Sequence, residues 1–151
     1  LHSDYSSAFA FRAESYLGKK DWDKSTDDIV AALNIDSNDK AFYLMLELDE
    51  AAFAKLKAKF LIKSAKESNS DKWLYYLGVI HEQKSMYLQA INFFEEANKR
   101  NLSVSTLERI AICYDDNGQY EHLLSGCSRA FQRLRIRLQG GGSGQIYPHI
   151  R

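Results

Sequence analysis

The stretch LYYLGVIHEQKSMYLQAINFFEEA, residues 74–97, decides the fold of this chain. It contains two apolar segments of helical period, separated by a short polar turn. Gly78 and Ala90 are small where two paired helices would cross closely, whereas Leu77 and Phe94 are large enough to fill the seam around that crossing. The stretch therefore predicts a helical hairpin whose distinctive residues serve packing.

The same pattern recurs at constant distances on both sides of this hairpin. The slots to compare are held here by Gly78, His81, Tyr87, Phe94 and Ala97. The residues 65 positions earlier are Ala13, Tyr16, Trp22, Ile29 and Ala32, and those 33 positions later are Ala111, Tyr114, Tyr120, Cys127 and Ala130. One more unit fits into the upstream gap, and we expect its packing slots to hold Phe42, Ala58, Ile62 and Ala65, with Leu46 and Asp49 replacing the small and aromatic residues of its first helix.

The spacing of these residues follows the patterns W-x2-L-G-x2-Y and A-x3-F, carried here by Leu74, Leu77, Gly78 and His81, then Ala90, Phe94 and Ala97. In this respect the chain resembles the tetratricopeptide repeat family, whose unit is a helical hairpin of about 34 residues. The resemblance implies an all-α fold, a right-handed superhelical solenoid of about eight antiparallel helices. We expect units at 6–38, 39–70, 71–103 and 104–138, the second of them degenerate. Clusters of turn and N-cap residues lie at the predicted joints, within 36–39, 68–71 and 101–105.

Composition and charge exclude several classes of function. The chain has 151 residues, of which 45% are hydrophobic, and its 20 basic and 20 acidic side chains give a formal net charge of zero, so nothing favours nucleic acid or an anionic membrane. No apolar run is long enough for membrane insertion. Cys113 and Cys127 are interpreted as buried packing residues, which favours a reducing compartment, and we expect a cytoplasmic protein. The first residue is Leu1, so we interpret the chain as a fragment or a processed form.

The composition changes abruptly near the C-terminus. Residues 139–144 include a run of glycine and serine that is typical of a flexible, engineered linker. The segment QIYPHIR, residues 145–151, does not continue the repeat pattern. Two interpretations stay open: an appended tag, or a peptide ligand tethered so that its effective concentration near a groove is high.

A search for chemistry-bearing motifs finds no active site. The four histidines are scattered without the spacing of helical zinc sites, and the sequence contains no phosphate-binding glycine loop and no nucleophile elbow. We expect no cofactor and no metal. His81 occupies an aromatic slot of the repeat, so we expect it to be a packing residue.

The resemblance also implies where binding would occur, because the first helix of each unit lines the hollow side of such a solenoid. Transferred slot by slot, the lining comprises Glu14, Leu17, Lys40, Tyr43, Glu47, Glu50, Lys72, Tyr75, Val79, Glu82, Glu108, Ile112 and Asp115. Acidic residues outnumber basic ones in this set, so we expect the groove to favour an extended peptide with apolar anchors and a basic residue. The alternative that these positions are merely solvated helix faces stays open.

The sequence thus predicts a non-catalytic protein–protein interaction module rather than an enzyme. Its partner would be a peptide or a segment of another protein, with the tethered segment 145–151 as one candidate. Two alternatives stay open. The first is a structural module that forms homo-oligomers or stacks through its ends, and the second is the scaffold or regulatory part of a larger enzyme.

Overall fold

The computed structural model describes residues 2–118, and within them the chain folds into seven α-helices and no strand. The helices are α1 (His2–Gly18), α2 (Trp22–Ile35), α3 (Asp39–Leu46), α4 (Glu50–Lys66), α5 (Lys72–Gln83), α6 (Tyr87–Arg100) and α7 (Val104–Asp116). The prediction of an all-α fold is confirmed for these residues. The eighth predicted helix, the linker 139–144 and the segment 145–151 lie outside the described residues. Between residues 2 and 118, no helix combines the length and the apolarity needed to cross a bilayer.

The helix starts follow from short polar side chains that accept hydrogen bonds from free backbone amides. Asp21, Asn38 and Asp49 precede α2, α3 and α4, and each accepts from the amide three residues further on, at 3.3, 3.0 and 2.9 Å respectively. The turns between α1 and α2 and between α5 and α6 close through left-handed backbone at Lys20 and Ser85, both with φ 57°.

Each helix packs on a helix next to it along the chain, on a helix two places away, or on both. The most extensively packed pairs are α1 with α2, α5 with α6 and α6 with α7. Helix α4 packs on both α2 and α5 and thereby connects the α1–α2 pair to the α5–α6 pair. One apolar core runs through these contacts, and its fully buried members include Ala13, Ala32, Leu77 and Phe94. At the crossing of α5 and α6, a methyl group at Gly78 would collide with the ring of Phe94, so the small residue at this position is a packing requirement.

The second unit departs from the predicted register. Helix α3 has only 8 residues and α4 has 17, whereas α5 and α6 have 12 and 14. Asp49, which we had expected in a first helix, instead caps α4, so the second helix begins about one turn early. The core residues of α4 are consequently Phe53, Leu56 and Phe60. The backbones of α3 and α4 do not pack extensively on each other.

The expected slots Ala58, Ile62 and Ala65 are all exposed, which corrects the sequence-based assignment of this helix. The core positions Leu56 and Phe60 lie two residues before the expected slots Ala58 and Ile62. Two residues of an α-helix correspond to a rotation of about 200°, so the expected slots face away from the core.

Arg100, the last residue of α6, connects this helix to the end of α4. Its Nη1 donates to the backbone oxygens of Ser64 and Ser70, both at 3.0 Å, and more weakly to that of Glu67 at 3.4 Å. These are carbonyl groups at and just after the C-terminus of α4, where a helix leaves acceptors unsatisfied and where its dipole favours a cation.

Cys113 and His81 are both buried, as expected for packing residues. Burial raises the pKa of the Cys113 thiol to about 12, so this residue remains a thiol at neutral pH.

Candidate functional site

The odd-numbered helices form one continuous row, which we call the odd-helix face. Helix α1 packs on α3 and α3 packs on α5. The row continues to α7 because the side chain of Arg109 reaches α5. Nearly all of the predicted lining residues belong to these helices, and their surroundings divide into three groups.

The first group lies where α1 meets α3. The ammonium of Lys40 is 2.8 Å from a carboxylate oxygen of Glu14 and 4.6 Å from the centre of the Phe11 ring. Tyr43, one helical turn after Lys40, is 65% exposed, and Phe11 is 60% exposed. Because residues three apart on a helix lie on the same side, Phe11, Lys40 and Tyr43 form one surface patch with two aromatic rings in water. We call it the aromatic patch.

The second group joins α5 to α7 through Arg109. Its Nε donates to the Tyr75 hydroxyl at 3.0 Å, and its Nη1 donates to a carboxylate oxygen of Glu82 at 2.8 Å. The guanidinium also lies 5.8 Å from the centre of the Tyr75 ring. Burial acts to lower the pKa of Arg109, but the hydrogen bonds that Arg109 donates to Glu82 and Tyr75 outweigh this effect and raise its pKa overall. Through Arg109, Tyr75 and Glu82 therefore connect α5 to α7.

Sequence reasoning missed Arg109. Its partners are 34 and 27 residues away in the chain, which matches neither the 3.6-residue helical period nor any slot shared between the units. The only available signal in the sequence was that Arg109 is the single basic residue of its helix, and that this helix was expected to lie beside a helix carrying Glu82.

The third group is a set of exposed acidic residues. Glu47, Glu108 and Asp115 are exposed, and none of them forms an ion pair within residues 2–118. Ile112, 49% exposed, lies between the last two on α7 at i, i+4, i+7 spacing, so these three side chains share one side of that helix. We call Glu47, Glu108 and Asp115 the free acids.

Three of the predicted lining residues are not exposed residues of the odd-helix face: two are buried or half-buried, and the third is exposed but lies on α4. Val79 is 2% exposed and is part of the core. Glu50 is the first residue of α4 rather than part of a first helix, and it pairs with Lys84 at 3.3 Å. Leu17 is half-buried and packs against the core.

Lys72 is half-buried and points towards α2. Its Nζ donates to the backbone oxygen of Asn34 at 3.4 Å and lies 5.0 Å from the centre of the Trp73 ring. Burial lowers the pKa of Lys72, although the nearby carboxylate of Glu67 opposes this effect. The Lys72 ammonium is thus directed towards α2 and Trp73 rather than towards a ligand on the odd-helix face.

The negative charge of the odd-helix face is concentrated in the free acids. Lys40 is paired with Glu14, Lys72 is turned aside, and Arg109 is paired with Glu82. In the part of the chain that the structure describes, the free acids have no paired cation, and they lie beside exposed apolar side chains. Such a surface attracts cations and disfavours carboxylates.

A scan against models of protein families finds no match, and a search of curated proteins finds no significant similarity.

Proposed function

We propose that this chain is a non-catalytic interaction module whose helices stack as a tetratricopeptide-type solenoid and whose odd-helix face binds an extended peptide. The preferred peptide carries apolar anchors and at least one basic residue. The observation that carries the proposal is the combination, on one row of helices, of the exposed aromatic patch, the exposed Ile112 and the free acids.

The aromatic patch supplies the apolar part of the interaction. Exposed aromatic rings lose unfavourable contact with water when an apolar side chain covers them, and their stiff side chains lose little entropy. The Lys40 ammonium lies over the Phe11 ring, which shows that the face of this ring accepts a positive charge. Tyr43 is the more open ring and is the better site for a side chain of the partner.

The free acids supply the preference for a basic residue. An exposed ion pair contributes at most about 1 kcal/mol, so charge sets selectivity while apolar contact sets most of the affinity. The fold supports a role in recognition because stacked helical hairpins present a long surface rather than a closed pocket.

The test uses three labelled heptapeptides with leucine at both ends that differ only in the central residue, which is arginine, glutamine or glutamate. We expect fluorescence anisotropy to show binding in that order, with roughly fivefold between arginine and glutamate at low salt. The variant Glu47→Lys/Asp115→Lys should abolish or reverse the order. The matched control Glu95→Lys, at an exposed position on α6, should leave it unchanged.

Two results would contradict the proposal. One is the absence of binding of any of the three peptides at 1 mM, and the other is an arginine preference that survives in the Glu47→Lys/Asp115→Lys variant.

A second candidate function is end-to-end stacking, and Tyr5 on α1 favours it. Tyr5 is 62% exposed and shares one side of α1 with Phe9 and Arg12, at i, i+4, i+7 spacing. In a repeat array, this side of the first helix is where a preceding unit would pack. Sedimentation velocity at increasing concentration separates the two functions: a dimer lost in Tyr5→Lys supports stacking, and a monomer at all concentrations excludes stacking on a second copy.

A further inference from the structure

The outward side of α4 carries a second unusual surface, separate from the odd-helix face. Along the whole helix, every residue of an arc about 100° wide is apolar and exposed. We call this surface the α4 stripe, and its members are Ala51, Ala54, Ala58, Leu61, Ile62 and Ala65. Leu61 and Ile62 are 41% and 55% exposed, so the stripe includes two large aliphatic side chains in water. A helix that is apolar on both its core side and its outer side resembles one buried on both sides.

The spacing of the stripe is that of a seam between two helices. Ala51, Ala54, Ala58, Leu61 and Ala65 are separated by three and four residues in alternation, which is the a/d pattern that faces a partner helix. From residue 51 to residue 65 the seam is roughly 21 Å long at 1.5 Å per residue. The alanines permit the backbones to approach closely, while Leu61 and Ile62 provide side chains that insert between those of the partner.

Lysines border the stripe on both sides. Lys57 lies along one border and Lys66 along the other, and neither forms an ion pair within residues 2–118. Lys55 and Lys59, on the same border as Lys66, are 2.6 Å from carboxylate oxygens of Asp23 and Asp27 on α2. Glu50, at the N-terminal end of the border that contains Lys57, pairs with Lys84. The net positive charge of the borders therefore comes from Lys57 and Lys66.

We propose that the α4 stripe is a docking surface for an acidic amphipathic helix of another protein. Small and aliphatic residues on that helix would fill the seam, and its flanking glutamates or aspartates would face Lys57 and Lys66. The proposal rests on observations independent of the odd-helix face, so the two surfaces can be tested separately.

The charge of the border also argues against other occupants. In a symmetric pair of α4 helices, lysine borders would face lysine borders, which disfavours a second copy of this chain. The segment 129–137 of the same chain contains Arg129, Arg133, Arg135 and Arg137 and is repelled for the same reason. A membrane surface is disfavoured because four of the six residues of the stripe are alanines, without the aromatic or leucine-rich surface that interfacial helices insert.

The experiment uses the full chain and two labelled 16-residue helical peptides. Both have alanine and leucine at the a and d positions, and the flanking positions are glutamate in one and lysine in the other. We expect the glutamate peptide to bind at least tenfold more tightly than the lysine peptide. This binding should weaken at least tenfold in Ala58→Glu, which places a bulky anion in the middle of the seam, and in Lys57→Glu/Lys66→Glu.

The control is Ala8→Glu at an exposed alanine of α1, which should bind like the unmodified chain. Circular dichroism melting of each variant establishes that the helices are retained. The proposal is overturned if neither peptide binds at 1 mM, if both bind equally, or if Ala58→Glu has no effect. It is also overturned if Ala58→Glu dissociates a dimer of the free chain or abolishes binding to vesicles of phosphatidylserine and phosphatidylcholine, since the occupant would then be a second copy or a lipid surface.

Discussion

At the scale of single residues, the contact between Gly78 and Phe94 sets how closely α5 and α6 pack. A Cβ added at Gly78 would overlap ring atoms of Phe94, whose side chain is fully buried and cannot move aside freely. Gly78→Ala should therefore destabilise the chain by about 1–3 kcal/mol, because the core must shift to accept the methyl group. The measurement is the free energy of unfolding from urea denaturation.

Gly18 provides the matched control for this substitution. It is also in a helix, at the last residue of α1, but nothing lies within 4 Å of a Cβ built there. Gly18→Ala should leave stability unchanged or raise it slightly, since alanine restricts the unfolded chain. Equal losses in both variants would mean that the cost belongs to helical glycine in general rather than to the crossing.

His81 gives the chain a dependence on pH at the residue scale. Its Nδ1 donates to the backbone oxygen of Leu77 at 2.6 Å, its ring lies between Phe53 and Phe93, and its buried Nε2 has no partner within residues 2–118. Burial lowers the pKa of His81, although the hydrogen bond to Leu77 opposes this effect. The neutral imidazole is thus the form that the fold accepts.

The sign of the pH effect follows from this pKa. Because His81 has a lower pKa folded than unfolded, the unfolded chain binds more protons as the pH falls below about 6.5. Stability should decrease from pH 7 to pH 5 by up to about 1.4 kcal/mol per pH unit. In His81→Leu this part of the profile should be flat, whereas His2→Gln should retain it. A slope that is unchanged in His81→Leu would assign the effect to other groups.

At the scale of helices, Arg109 is the strongest candidate for a clamp between α5 and α7. Replacing it by methionine keeps the apolar stem but leaves Glu82, whose side chain is only 17% exposed, without its cation. Arg109→Met should cost about 1–3 kcal/mol, because a half-buried carboxylate loses its partner and the Tyr75 hydroxyl loses a donor. A double-mutant cycle with Glu82→Gln, read by urea denaturation, should show coupling between the two sites.

The control for the clamp is the exposed pair of Lys24 and Asp21, which are three residues apart in sequence. Lys24→Met should be indistinguishable from the unmodified chain, because solvent screens an exposed pair. If Arg109→Met is as mild as Lys24→Met, α7 is held by its apolar contacts alone.

The helices also show how far the sequence could predict this fold. The crossing of α5 and α6 was predictable because a glycine and a phenylalanine at repeat spacing encode a local contact between consecutive helices. In the second unit, the repeat spacing placed Ala58 and Ile62 in the core, but Leu56 and Phe60, each two residues earlier, are the core residues of α4, and the expected ones are exposed. A fixed repeat period cannot predict a unit in which the turn between its two helices lies at a different position.

The candidate site was less predictable than the fold, for a related reason. Slot positions identified Tyr43 and Ile112 as surface residues on the correct helices, and both are exposed. The same rule included Val79, which neighbouring helices bury, and omitted Arg109. Which charges are neutralised depends on pairs between helices that are distant in sequence, and no repeat pattern encodes such pairs.

At the scale of the whole molecule, packing is local along the chain. Every extensively packed pair of helices within residues 2–118 is at most two helices apart. For the proposed solenoid, we expect stability to be close to a sum of unit and interface contributions, so that distant parts open separately. A closed globular core would instead unfold as one unit.

Two matched substitutions distinguish these behaviours, because Ile29 on α2 and Ile91 on α6 are both buried in the core. Each change to valine should cost about 0.5–1.5 kcal/mol. In a solenoid, native-state hydrogen exchange should show Ile29→Val lowering protection mainly in α1 and α2, and Ile91→Val mainly in α5 and α6. If either substitution lowers protection equally in all of these helices, the molecule is a single cooperative unit, and the proposal that its hairpins stack as semi-independent repeats is wrong.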